Sequence, residues 1–216
     1  MELIYIGDPM CSWCYGFGKE LSTLAARFPK LPLRIVAGGL RAGATDVLDE
    51  SGKQFRLQHW ARVAQVSGLP FNTQGLLDRV NFVYDTEPVC RAVVAARDLA
   101  PEVDLLPLFR ALQHAFYVDG RDTTDGLVLA EVSAQALTSL GVSVSADQFH
   151  ALWQDPQIVA QTREDFALAR SWNVTSFPAL LLRVGNELHG ITIGYMTADM
   201  LERRLLVLLE ENAARA

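Results

Sequence analysis

Cys11-Ser12-Trp13-Cys14 places two thiols three residues apart near the start of the chain. Disulfide exchange requires a thiolate, and an ordinary cysteine with a pKa near ~8.5 is mostly protonated at neutral pH. A helix N-terminus offers unpaired N–H groups and the positive end of the helix dipole, both of which stabilise negative charge on a sulfur. If a helix begins at this step, Cys14 falls on the same face as Cys11 and within its reach. Position then orders the roles: Cys11 is expected to be the exposed nucleophile and Cys14 the buried resolving thiol. Two bland readings compete, a pair of inert buried thiols and half of a zinc site. A zinc site needs two further ligands, and the sequence offers no second Cys-X-X-Cys and no paired histidines at ligand spacing. No metal is therefore expected.

The flanking elements support a helix start at this point. Leu3-Ile4-Tyr5-Ile6 has strand character and stops at the turn residues Gly7-Asp8-Pro9. Leu21, Leu24, Ala25 and Phe28 then repeat at helical spacing up to Pro29, and Leu33 to Ala37 reads as a second strand. The result is a βαβ unit, with the cysteine pair at the first strand-to-helix junction. Beyond Gly38-Gly39 strand signals cease, and helical patterns cover about 53–67, 87–99, 104–117, 125–139, 146–153 and 157–171. Ser145 with Gln148 forms a capping-box pattern, and Asp155-Pro156 an N-cap followed by proline. Strands return as Ala179 to Val184 and Glu187 to Ile193, linked by Gly185-Asn186, a hairpin signal. An amphipathic helix follows from about Ala198, with Leu201, Leu205, Leu208 and Leu209 on its inner face. The order β-α-β, helical block, β-β-α predicts an α/β layer split by an inserted all-helical domain. Residues 1–40 and 172–216 are assigned to the layer and 41–171 to the insertion, with part of 157–171 free to join the layer.

Composition limits what the protein does. A net charge of -6 lacks the cationic footprint of a nucleic-acid binder. No apolar run approaches the ~18 residues of a membrane span, and the N-terminus lacks a signal-peptide pattern. Three cysteines are too few for a disulfide framework in a chain of 216 residues. A cytoplasmic protein is expected, with no nucleic-acid or membrane partner; its oligomeric state is left open.

Taken together, these residues resemble the DsbA family of thioredoxin-fold proteins, and in particular its cytosolic FrnE-like branch. The likeness rests on Asp8 through Phe17, the long helical insertion, Thr175-Ser176-Phe177-Pro178 ahead of the late hairpin, and the terminal helix. It implies a thioredoxin-like fold and a protein disulfide oxidoreductase or isomerase acting through a mixed disulfide, with protein thiols and disulfides as substrates. It also implies a cis Pro178 facing the cysteine pair. No cofactor is expected beyond glutathione as a possible reductant; the recycling partner and the direction of electron flow are not specified. Ser12-Trp13 brings no positive charge, so a potential more reducing than that of the strongly oxidising periplasmic members is expected. Met10, Ser12, Trp13, Phe17, Ser176 and Phe177 are assigned to substrate binding. The aromatic and Met side chains would form an apolar rim, and the Ser176–Phe177 backbone an edge for extended substrate. For Phe17 the competing expectation is packing beneath the helix.

Weaker candidates are given structural roles. Ser12 is expected to cap the helix and Asp8 to hold the turn, with proton acceptance by Asp8 as the minority reading. Cys90 is expected to be a small buried thiol, and His59, His114, His150 and His189 surface or packing residues. Arg41 and Asp119-Gly120-Arg121-Asp122 read as solvated loop. Two rival functions stand beside the main one. Kappa-class glutathione transferases and 2-hydroxychromene-2-carboxylate isomerases share the layout but carry serine where Cys11 stands. A non-catalytic client-binding module is the other.

Overall fold

A computed structural model describes residues 1–214, so the last two positions of the 172–216 segment lie outside the described residues. The chain runs β1 (Glu2–Gly7), α1 (Ser12–Arg27) and β2 (Leu33–Ala37), then seven helices. These are α2 (Glu50–Ser67), α3 (Thr73–Leu77), α4 (Glu87–Leu99), α5 (Leu106–Tyr117), α6 (Gly126–Ser139), α7 (Ala146–Trp153) and α8 (Pro156–Ser171). It closes with β3 (Ala179–Val184), β4 (Glu187–Ile193) and α9 (Ala198–Ala213). The strands form one mixed sheet in the order β2-β1-β3-β4, with β1 parallel to β2 and antiparallel to β3. Tyr5 pairs with Ile35 on one side and Leu180 on the other.

Strand alternation explains why β1 is apolar at four successive positions. Leu3 and Tyr5 enter the larger core with Phe17, Leu21 and Leu24 of α1 and Leu201 and Leu205 of α9. Ile4 and Ile6 point the other way, into a second core with Val36, Ala169, Val174 and Leu181. Both faces of the sheet are covered, so neither set can be polar. Ala169 belongs to α8, which thus covers one face of the sheet. Asp165 of α8 fixes this contact: its Oδ2 accepts from the Ala37 N–H at 2.8 Å, and both its oxygens accept from Arg97 of α4 at 2.9 Å.

The helix punctuation follows local chemistry. Ser145 and Gln148 form a reciprocal capping box, and the Asp155 side chain accepts from the Gln157 N–H just after Pro156. α2 begins at Glu50, earlier than the apolar pattern indicates, because Asp49 caps it by accepting from the Gly52 N–H. α3 gave no periodic signal at five residues with Gly75 at its centre; Asn72 caps it. The Asp119–Asp122 loop is tied down at its backbone, since Arg79 donates to the Gly120 and Arg121 carbonyls. Among the described residues, no helix is long and apolar enough to cross a membrane.

Candidate active site

β1 ends at Gly7, and the next four residues make the turn that sets α1 in place. Asp8 organises it. Its Oδ1 accepts from the Met10 N–H at 2.8 Å, and its backbone oxygen accepts from the Cys11 N–H at 3.0 Å. Cys11 is the N-cap of α1, in extended backbone, and no side chain caps the helix. Ser12 therefore does not cap, contrary to expectation: it already lies inside the first turn. Cys11, Cys14 and Cys90 are all free thiols.

Cys11 is only 5% exposed, less open than a nucleophile read from the sequence suggests, and Cys14 is fully buried. Cys11 nevertheless lines a cavity of about 410 Å³, shared with Met10, Ser12, Trp13, Ser176 and Phe177. The Cys11 thiol donates to the Phe177 carbonyl oxygen at 3.8 Å. The Phe177–Pro178 peptide is cis, and Pro178 is buried. The start of α1 and the entry to β3 thus meet at one sulfur. Trp13 is half-buried with its ring 6.1 Å from Tyr195, and the Phe177 ring lies over Gly38, where an added Cβ would come within 2.6 Å of it. Met10 is 1% exposed; its carbonyl accepts from the Tyr84 hydroxyl at 2.6 Å.

Phe17 is not part of the rim. It is fully buried against Tyr5, because it shares the inward stripe of α1 with Cys14, Leu21 and Leu24. Arg41 is not simply a solvated loop residue either. It lines the cavity, its N–H donates to Thr86 Oγ1 at 3.0 Å, and its buried Nε has no partner. The remaining wall comes from α2 and from Tyr84: Phe55, Arg56, His59 and Trp60. Their spacing (55, 56, 59, 60) marks one helix face, but nothing local says that this face looks onto Cys11.

Behind the pair lies a sealed polar cluster. Asp8 is fully buried; besides the Met10 N–H it accepts the Leu40 N–H at 2.7 Å, and the Thr86 and Cys90 side chains also act on its carboxyl. Burial pushes its carboxyl up to about 6, against the lowering effect of these donors. The Cys14 thiol is pushed well up by burial, by its contact with Cys11 and by the Asp8 charge. Cys90 is likewise raised, by burial first and then by Asp8. Among the described residues, no group of three or more His, Cys, Asp or Glu side chains could hold a metal ion.

A mixed four-stranded sheet with Cys-X-X-Cys at the start of its first helix, facing an X–Pro entry to the third strand, defines a thioredoxin-fold protein. The chain belongs to the DSBA-like thioredoxin domain family, whose model matches residues 4–206. It is similar to a candidate protein disulfide isomerase from Nitrosomonas europaea, at 31% identity over 97% of each chain and a TM-score of 0.83. It is also similar to the cytosolic disulfide reductase DsbM from Pseudomonas aeruginosa, at 27% identity over 100% of each chain and a TM-score of 0.75. DsbM has in addition been solved with glutathione. 2-Hydroxychromene-2-carboxylate isomerase shares the fold, at 17% identity and a TM-score of 0.65. No curated protein matches the sequence. Family and neighbours make the protein a thioredoxin-fold oxidoreductase or isomerase.

Proposed function

We propose that the protein is a cytoplasmic thiol–disulfide oxidoreductase working through a mixed disulfide on Cys11, which Cys14 resolves. The observation that carries this is the placement of Cys11 at the foot of a cavity, at the N-terminus of α1 and 3.8 Å from the Phe177 oxygen. A substrate sulfur entering the cavity meets the helix end that stabilises a thiolate and the Ser176–Phe177 backbone, which offers hydrogen bonds to an extended segment. Cys14 waits one turn inside, closed to substrate. Residues 41–171 act in this reading as the insertion that supplies the far wall.

Glutathione is the proposed electron donor. Arg41, Arg56 and His59 put cationic or ionisable groups on a wall otherwise made of Trp60, Phe55 and Tyr84. That combination suits a small thiol peptide carrying two carboxylates. The presence of glutathione in a DsbM structure supports the same choice.

Cys14→Ala provides the test, since it leaves the first step intact and removes the second. Mass spectrometry of the variant recovered from cells is expected to find disulfide-linked protein partners and glutathione on Cys11. Cys11→Ser should remove both the adducts and all reduction of insulin. Recovery of Cys14→Ala with a free Cys11 under oxidising conditions would overturn the proposal.

A further inference from the structure

Glu20 lies two turns beyond Trp13 on the same face of α1, and its carboxylate is shared between two parts of the β4–α9 link. Oε1 accepts from the Tyr195 hydroxyl at 2.9 Å and Oε2 from the Ala198 N–H at 2.9 Å. The second contact is a helix cap supplied from another element. Thr197, the N-cap of α9, makes no side-chain hydrogen bond among the described residues, so Glu20 brings the acceptor and the negative charge that a helix N-terminus favours. The first contact caps nothing. It holds the Tyr195 ring 6.1 Å from that of Trp13, tilted by 56°, and Trp13 lines the cavity that contains Cys11. The link is also tied at its start, where Gly194, at φ +97°, donates its N–H to the Pro178 carbonyl at 2.7 Å. Tyr195 thus stands between an anchor on α1 and an anchor on Pro178, with its ring against the residue that separates the two cysteines.

We propose that Tyr195, held in place by Glu20, is a specificity-determining residue: with Trp13 it forms the subsite for an apolar side chain flanking the cysteine of a polypeptide substrate. The inference rests on the oxidoreductase reading above. The two sides of Cys11 differ in charge. Towards α2 the wall carries Arg41 and Arg56, which suit carboxylates. Towards the β4–α9 link two half-buried aromatic rings meet instead, and Glu20 behind them repels a carboxylate. Lys19 does not reverse this, because its Nζ lies 3.6 Å from Glu20 Oε1 and donates to the Ser67 carbonyl. Apolar character continues outward: Ile193 and Met200, on either side of the link, are 63% and 50% exposed. A substrate side chain placed here buries apolar surface that folding leaves open. Glu20 is the positioning residue. A charge-assisted hydrogen bond at the tip of Tyr195 orders the ring before substrate arrives, so binding does not bear that cost.

Two short peptides test this, each a mixed disulfide with a coloured aromatic thiol and differing only in leucine or serine beside the cysteine. The readout is the ratio of kcat/KM for the leucine peptide to that for the serine peptide, which cancels any general loss of activity. Wild-type protein is expected to favour leucine through a lower KM. Tyr195→Ala should reduce the ratio about threefold to tenfold, the range for one aromatic contact. Tyr195→Phe keeps the ring and cuts its tie, and should reduce the ratio about twofold to fivefold without lowering the thermal midpoint, since the α9 cap is untouched. Glu20→Ala should match Tyr195→Phe in the ratio, and the double variant should fall no further. Glu20→Gln, which can still pair with both groups, should restore the preference. A wild-type ratio in Tyr195→Ala would overturn the inference, as would equal wild-type rates on the two peptides. So would equal loss on both peptides with a lowered thermal midpoint, the mark of a packing role. Wild-type protein that releases the coloured thiol from neither peptide would instead overturn the oxidoreductase reading itself.

Discussion

In front of Cys11 the protein presents an open wall of mixed character: the guanidinium groups of Arg41 and Arg56, the exposed side chains of Phe55 and His59, and the half-buried rings of Trp13 and Phe177. Behind Cys14 it presents Asp8, Tyr5, Phe17, Thr86 and Cys90, all fully buried. The two sides answer to different costs. A rim side chain removed from solvent-facing space leaves no cavity and little strain, so the front can vary with the substrate. At the back each volume is filled and most polar groups are paired, so a change there is felt first as stability and then as chemistry. In the proposed mechanism the thiol pair divides accordingly, with Cys11 facing recognition and Cys14 facing control.

The sharpest way to break this contrast is at Phe17, which the sequence placed ambiguously between the two sides. Phe17→Ala should destabilise the fold by about 3–5 kcal/mol in urea unfolding, as for a fully buried aromatic. Substrate KM, measured on the fraction that remains folded, should stay unchanged. Trp13→Ala should do the reverse. A Phe17 variant with wild-type stability and weakened substrate binding would return this residue to the rim.

Asp8 probes the back more finely. Its carboxyl stands at about 6, above the ordinary 3.8. Between those values the folded state holds more protons than the unfolded one, so this group's contribution to stability falls as pH rises through the window, by about 1.4 kcal/mol per unit at most. Asp8→Asn removes the titration and should flatten that stretch of the stability–pH curve relative to the wild type. Added to that change is a pH-independent cost of about 1–3 kcal/mol, because one amide oxygen cannot replace both carboxylate oxygens for the Met10 and Leu40 N–H groups. Parallel curves between about pH 4 and pH 6 would mean that Asp8 does not titrate there.

What could be read from the sequence follows the same division. The active-site turn was legible because Cys11, Ser12, Trp13 and Cys14 are consecutive, α4 because apolar periodicity runs through Val89, Cys90, Val93 and Val94, and α7 because the Ser145–Gln148 capping box marks its start. The inward stripe Cys14, Phe17, Leu21, Leu24 was also present in the helical period, and it is what supports the packing expectation for Phe17. Arg41, Arg56 and His59 were not legible as site residues. They reach the cavity only through the packing of the helical block against the sheet, which no local pattern encodes.

Arg56 is where the front can be tested with the smallest disturbance. It lies 4.4 Å over the Tyr84 ring, donates to the Gly52 carbonyl at 3.0 Å and, among the described residues, has no carboxylate at ion-pair distance. Burial lowers its pKa, but a guanidinium is effectively always protonated in a protein, so it remains a cation whose charge can meet a ligand. Arg56→Ala should raise the KM for glutathione about twofold to fivefold, as expected for one partly screened charge pair, with little change in kcat. The effect should shrink with added salt, since the pair is open to solvent on one side. Arg56→Lys keeps the charge but not the planar stacking on Tyr84, and should fall between the two. If Arg56→Ala instead slowed Cys14's resolution of a preformed mixed disulfide, the cavity wall would be acting on the buried sulfur, and the separation of front from back would fail.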